Sequence, residues 1–255
     1  MKITFLGSGT SQGVPVIACL CEVCQSTDFR DKRLRSSILI QEGDLNVVID
    51  SGPDFRQQML RCGIRHLDAL VFTHSHKDHI AGMDDVRGFN FSQKEAVDIY
   101  CNEDTLNALE REFYYVFEEH KYPGVPDVNV NMIKAGERFL IRDLSLLPIQ
   151  VYHYKMPVLG FRVKDFTYIT DANQIPDSQK ELIKGSRVLV LNALRKNEHV
   201  SHFSLQQAIE LARELGAERT YFIHMSHQMG LHAEIEKELP EGMFFSYDGL
   251  EIEVG

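Results

Sequence analysis

The stretch FTHSHKDHIAG (72–82) puts His74, His76, Asp78 and His79 within six positions, directly after the apolar run LDALVF. Protonated imidazoles packed so closely would repel one another, and neutral ones would each need a hydrogen-bonding partner. A divalent metal meets both demands, because neutral imidazole and carboxylate are the donors that Zn²⁺, Mn²⁺ and Fe²⁺ accept. Four donors are too many for one ion that must keep a position open for substrate, so the turn implies two. Two ions need further ligands, and a bridging carboxylate is a natural way to hold them about 3.5–4 Å apart. Three residues qualify by position: His153 closes LLPIQVYH, Asp171 closes FTYITD and His224 closes RTYFIH. Each lies at the carboxyl end of an apolar run, where a sheet edge opens into loops.

A second set of donors lies near the N-terminus, where CLCEVC spaces Cys19, Cys21 and Cys24 as C-x-C-x-x-C. Three thiolates this close are either ligands or a redox liability, and tetrahedral Zn²⁺ wants a fourth donor. His227, three residues after His224, is placed to face away from the catalytic pair and complete a Cys₃His structural zinc site. An iron–sulfur cluster is the rival occupant. A zinc there would pin the N-terminal glycine loop to the loop carrying His224. Cys62 and Cys101 stand in apolar surroundings and read as buried thiols.

The elements that must position these donors are short strands alternating with helices. KITFLG, SSILIQ, LNVVID, LDALVFT, VDIYC, DVNVNMI, LSLLPIQVYH, LGFRV, FTYITD, RVLVLNA, RTYFIH and GLEIEV read as strands, rich in Val, Ile, Leu and Phe. PDFRQQMLRCG, NEDTLNALEREF, PDSQKELIKG, SLQQAIELARELG and LHAEIEKELP read as helices. The clearest is SLQQAIELARELG, with a stripe of Leu205, Ala208, Ile209, Leu211 and Leu215 closed by Gly216. This is an α/β pattern of mixed sheets covered by helices, and its length of 255 residues suits one domain spanning 1–255. No fixed repeat is visible, which leaves room for two similar halves whose sequences have diverged. Residues 104–126 end in FYYVFEEHKYPGVP and read as a helical arm serving as packing, lid or homodimer contact.

Several functions are excluded. GSGTSQG has the spacing G-x-G-x-x-x-G and runs into VPVIACLCEVC, so no helix follows to receive a pyrophosphate. No G-x-x-x-x-G-K-[ST] loop is present. The net charge of −10 argues against non-specific nucleic-acid binding, which needs clustered Lys and Arg. No apolar run approaches the roughly 20 residues of a membrane-spanning helix, and MKITFLGSG reaches a glycine turn too soon for a signal peptide. A cytoplasmic location with no membrane partner is the expectation.

The order VVIDSG (Asp50), THSHKDH, His153, Asp171 and His224 resembles the five successive motifs of the metallo-β-lactamase superfamily and covers nearly the whole chain. That resemblance implies a four-layer αββα sandwich of two mixed sheets with a dinuclear site at one edge. It implies that His74, His76 and His153 hold one metal, that Asp78, His79 and His224 hold the other, and that Asp171 bridges them. Asp50 would orient the turn from behind. A β-lactamase is disfavoured by Asp171, and an oxygen-reducing di-iron protein would carry Glu in place of His76. His202 stands immediately before the SLQQAIELAREL helix, with Ser204 near its cap. In phosphodiesterases of this superfamily a histidine so placed protonates a leaving oxygen or steadies the phosphate; His199 is a weaker candidate. Together SGTSQGVP, the cysteine cluster, HMSHQ and YDGLEI look like the PhnP branch, whose members hydrolyse cyclic phosphodiesters of the phosphoribosyl type. The expectation is therefore a phosphoric diester hydrolase acting on a small anionic substrate. It would use two active-site Zn or Mn ions and one structural Zn, with His202, Asp78 and Asp171 in catalysis. Arg195, Lys196 and Lys155 are rim candidates. A tRNA 3′-processing nuclease, a lactone or ester hydrolase, and a non-enzymatic cofactor-pathway protein of the same fold remain as alternatives.

Overall fold

The computed structural model describes residues 1–255. The first half of the chain comprises β1 (Lys2–Gly7), α1 (Glu22–Gln25), β2 (Ser37–Glu42), β3 (Leu45–Ile49), α2 (Phe55–Cys62), β4 (Ala69–Val71), α3 (Lys77–Ile80), α4 (Arg87–Gln93), β5 (Val97–Cys101), α5 (Glu103–Glu112), α6 (Tyr114–Phe117) and β6 (Val128–Met132). The second half comprises β7 (Phe139–Ile141), β8 (Leu144–His153), β9 (Met156–Val163), β10 (Phe166–Ile169), α7 (Asp177–Ile183), β11 (Val188–Asn192), α8 (Leu205–Leu215), β12 (Arg219–Ile223), α9 (His232–Ile235), β13 (Met243–Phe245) and β14 (Glu251–Glu253).

The strands form two sheets of seven, ordered β14-β1-β2-β3-β4-β5-β6 and β13-β12-β11-β10-β9-β8-β7. Each has an antiparallel part that gives way to a parallel one, from β3 to β6 in the first and from β10 to β13 in the second. The two halves are thus built alike, although the sequence shows no repeat. Three large apolar clusters separate four layers. One, with Phe5, Val47, Phe161 and Val190, lies between the sheets. A second packs α8 residues on Leu189, Leu191 and Phe222, and a third joins Phe55 of α2 and Leu109 of α5 to Leu70 and Ile99. This is the αββα sandwich.

Helix α8 forms as its sequence dictates. Ser204 and Gln207 make a reciprocal capping box, the expected stripe is buried, and Gly216 ends the helix at φ 72°. Such a cap contributes about 1 kcal/mol, and each fully buried Leu or Ile about 1.5–3 kcal/mol. The reading of the elements needs correction in places, and the short strands β7 and β13 went unread. LHAEIEKELP forms only one α-turn, α9, and then a 3₁₀ turn over Glu236–Glu238, because no capping side chain holds its start and Pro240 follows closely. RGFNFSQ, read as no element, is helix α4; its start lacks a side-chain cap and Phe89 alone is buried, so it shows no periodic stripe. No helix is long and apolar enough to cross a membrane.

Candidate metal centre

The expected donors arrive from the carboxyl ends of strands in both sheets. Parallel neighbours leave their carboxyl ends at one edge of a sheet, where the connecting loops can build a site. Asp50 follows β3, the histidine turn follows β4, His153 ends β8, Asp171 lies just past β10, and His224 is the first residue after β12. Asp50, Asp171 and His224 all adopt left-handed backbone, with φ of 65°, 52° and 63°. The turn closes tightly on itself: a Cβ on Gly52 would stand 2.1 Å from the carbonyl oxygen of Asp78, so only glycine fits.

Asp50 is fully buried and organises the turn. It accepts the Thr73 N–H at 2.9 Å, the Thr73 hydroxyl at 2.8 Å and His79 Nδ1–H at 2.7 Å. Because Thr73 gives its proton to Asp50, its oxygen accepts from His74 Nδ1 at 2.9 Å. His153 Nδ1 likewise donates to the Ser201 carbonyl at 2.7 Å. In all three rings the proton is fixed on Nδ1, which leaves Nε2 as a bare donor atom. Nε2 of His74 and of His79 are buried and make no well-formed hydrogen bond, although Asp78 and Asp171 oxygens lie 3.2 and 3.4 Å from that of His79. Orphaned lone pairs of this kind are costly in a protein interior unless a cation meets them.

Ligand atoms of Asp78, His79, Asp171 and His224 lie within 4.8 Å of one another, as do those of His74, His76 and Asp171, and those of His153, Asp171 and His202. Asp171 belongs to all three groups, the place a bridging carboxylate would take. His153 joins Asp171 and His202 rather than the His74 group, although its ring centroid is 5.1 Å from that of His76. Thr10 and Ser36 hydroxyls flank the ring of His224 at 3.3 and 3.1 Å, and Thr170 donates to Asp171 at 2.5 Å. These positioning hydroxyls escaped the sequence reading, since Ser and Thr are common and nothing in their spacing marks them.

Electrostatics fit a cation site. Burial alone would keep His79 neutral, but the carboxylates of Asp171, Asp78 and Asp50 outweigh it and push its pKa well above the ordinary value. Burial, and then the charge of His79, hold His74 well below the ordinary value. Asp171 is held well below the usual carboxylate range by His224 and His79, against the opposing effect of burial. Cations between these donors would balance the carboxylate charge that acts on His79 in the free site, and the residues present fit such a pair.

His202 lies against this cluster, its ring centroid 4.4 Å from that of His153 and 4.9 Å from that of His224. Burial, and then His224, lower its pKa to about 3, and its Nδ1 has no partner. His199 is more exposed and accepts from the Ser201 N–H at 3.3 Å. Of the rim candidates, Arg195 is engaged by Gln228 and by the Glu198 carbonyl, both at 2.9 Å, and Lys196 by Glu238 at 3.2 Å. The first part of the arm packs on the body, where Lys77 of the histidine turn pairs with Glu112 and the Tyr115 hydroxyl donates to Asp84 at 2.6 Å, whereas residues 118–124 are exposed. A cavity of about 710 Å³ between α2 and α4 contains none of the donors and lies apart from the chemistry.

The cysteine cluster also assembles. Sγ of Cys19, Cys21 and Cys24 lie 3.3, 3.3 and 3.6 Å from His227 Nδ1. The Cys24 N–H, the largest influence, lowers the Cys21 thiol to about 6, whereas burial raises Cys24 to about 11. Cys101 is buried and Cys62 half-buried, both away from either cluster.

Residues 45–225 match the family described as the beta-lactamase superfamily domain. A crystal structure described as a new diphosphatase from the PhnP family is 39% identical, with a TM-score of 0.93, and the alignment covers 100% of this chain and 98% of that one. An octanoyltransferase of Porphyromonas gingivalis is 39% identical over 98% of this chain, which spans about half (51%) of that relative's length. Zinc-bound PqqB from Methylobacterium extorquens shares the fold, with 19% identity, a TM-score of 0.78 and full coverage of both chains. Together with the donor set gathered at one edge of the sandwich, these likenesses establish that the chain belongs to the metallo-β-lactamase superfamily, among its PhnP-like hydrolases.

Proposed function

We propose that this metal-dependent hydrolase cleaves small anionic phosphoesters, cyclic phosphodiesters of the phosphoribosyl type among them, at a dinuclear Zn or Mn centre. The observation that carries the reading is Asp171, whose carboxylate is common to three sets of converging donors while buried Nε2 atoms beside it make no well-formed hydrogen bond. His74, His76 and His153 would hold one ion, Asp78, His79 and His224 the other, with Asp171 between them; Cys19, Cys21, Cys24 and His227 would hold a structural zinc. When bound, the pair supplies an activated water near neutral pH and neutralises charge on the phosphoryl oxygens. The chain's own residues do the rest. Asp50 and Thr73 hold the imidazoles in register, the hydroxyls of Ser36 and Thr10 orient His224, and His202 brings a ring nitrogen within 4.8 Å of donor atoms of Asp171 and His153.

His202 is neutral in the free site because burial disfavours its charge. It acts as a proton or hydrogen-bond donor to the departing oxygen, and the negative charge of a bound phosphoryl group favours its protonation. The similar diphosphatase supports a second leaving group, a phosphate. A phosphate leaves without such help, its second pKa being near 6, whereas an alkoxide does not. The octanoyltransferase name belongs to a protein about twice this length, and covalent acyl transfer calls for a nucleophile such as Cys or Lys, whereas the central donors are His and Asp.

The test is a panel of cyclic diesters, linear alkyl diesters, diphosphates and lactones, assayed with protein whose metal content is measured. Phosphoester turnover without lactone turnover supports the reading, and the reverse overturns it. In His202→Ala, metal content should persist while alkyl-diester turnover falls about 10²–10⁴-fold and diphosphate turnover falls less. Equal rates in variant and parent would remove His202 from the mechanism.

A further inference from the structure

Beside the donor cluster, the β8–β9 hairpin turns in two residues, Tyr154 and Lys155, because His153 pairs with Met156. Tyr154 takes the left-handed first position at φ 59°; Arg142 and Lys164 do the same in the β7–β8 and β9–β10 hairpins. The turn therefore does not call for an aromatic residue. Packing does not call for one either, since Tyr154 is 55% exposed. Its place is nevertheless fixed. Asn173, two residues past Asp171, accepts the Tyr154 N–H at 2.6 Å and donates its amide to the Val200 carbonyl at 3.1 Å. One side chain thus brackets Tyr154 and Val200, the latter 68% exposed. His153, next to Tyr154, and His202, two residues past Val200, have ring centroids 4.4 Å apart. Two exposed apolar groups are thereby tied to the loops from which His153, Asp171 and His202 enter the cluster. Lys155 Nζ lies over the Tyr154 ring, 5.4 Å from its centroid. Unlike Arg195 and Lys196, Lys155 makes no ion pair or hydrogen bond within the chain.

An aromatic ring with a free ammonium beside it and an aliphatic neighbour suits a planar group joined to an anion. We propose that Tyr154 is a specificity-determining platform on which a nucleobase of the phosphoryl substrate stacks, flanked by Val200, with Lys155 taking phosphate charge. This rests on the phosphoryl reading of the centre and adds to it a preference, among phosphoester substrates, for nucleoside-bearing phosphodiesters and diphosphates.

The chain has no Trp, so Tyr154→Trp makes a single tryptophan at the platform, excited selectively at wavelengths where the remaining tyrosines do not absorb. Adenosine 5′-monophosphate is expected to quench it at millimolar concentration, and ribose 5-phosphate is not. Equal quenching by both, or by neither, overturns the proposal. Because this reads the base and not turnover, it gives an answer even where no phosphoester is hydrolysed, which keeps the two failures apart. Tyr154→Ala and Tyr154→Phe provide a second arm. The kcat/KM preference for a dinucleoside diphosphate over a base-free alkyl diester is expected to fall about tenfold in the Ala variant, through KM, and to return in the Phe variant. An unchanged preference in Tyr154→Ala also overturns it.

Discussion

Asp50 touches no substrate in this arrangement, yet it sets the tautomer of His79 directly and that of His74 through Thr73. Removing one of its charged oxygens should weaken the grip on metal without altering the ligand set. We predict that Asp50→Asn binds its active-site metal about 10–100-fold more weakly, measured by competition with a chromophoric chelator. Wild-type affinity in that variant would mean that the turn orients itself. The donors themselves were legible in the sequence because His and Asp crowd a strand end in numbers that a solvated turn does not need. Thr73, Ser36 and Thr10 were not, since a hydroxyl gains its role from the ring it faces, and that ring comes from a remote part of the chain. Tyr154 was hidden for the same reason. Its meaning depends on Asn173, which lies on a different strand's exit.

The elements deliver these residues with little slack. Since a Cβ at Gly52 would meet the Asp78 carbonyl, Gly52→Ala must push the histidine turn away from Asp50. The expected result is a loss of bound active-site metal together with about 2–4 kcal/mol of stability, read by elemental analysis and by denaturant unfolding. Donors from both ends of the chain meet at the cysteine loop, Cys19, Cys21 and Cys24 on one side and His227 on the other, and the proposed zinc would tie them together. Cys21→Ser should therefore lose one zinc per chain and melt at lower temperature, and unchanged zinc content and melting would refute a structural site there. Sequence pattern revealed α8 because capping box, apolar stripe and terminal glycine agree. It missed α4, where burial falls on a single side chain and the surrounding packing supplies what local preference does not.

At the scale of the whole molecule, a buried polar seam joins the N-terminal loop to the C-terminal segment. His232 is buried, accepts from Arg33 at 3.0 Å, and has its own N–H held by Asp31 at 2.8 Å. Burial, and then the charges of Arg33 and Arg30, depress its pKa from 6.5 to about 4. The unfolded chain therefore binds the extra proton between those values. The stability that a neutral His232 contributes is complete above about pH 6.5 and is lost as pH falls toward 4, by at most about 3 kcal/mol. His232→Gln should flatten that acid branch in urea titrations, and identical slopes would exclude the residue as its source. The run of strands and helices pointed to mixed sheets covered by helices and the motif resemblance implied the four-layer sandwich, whereas the likeness of its two halves survives in topology alone. The left-handed backbone at Asp50, Asp171 and His224 has a further consequence. Such residues sit in conformations that cost about 1–3 kcal/mol each, which glycine would relieve and asparagine would ease. Directed evolution for heat resistance that never asks for product should therefore accumulate changes at these three strand exits and yield sturdier proteins that have lost their chemistry.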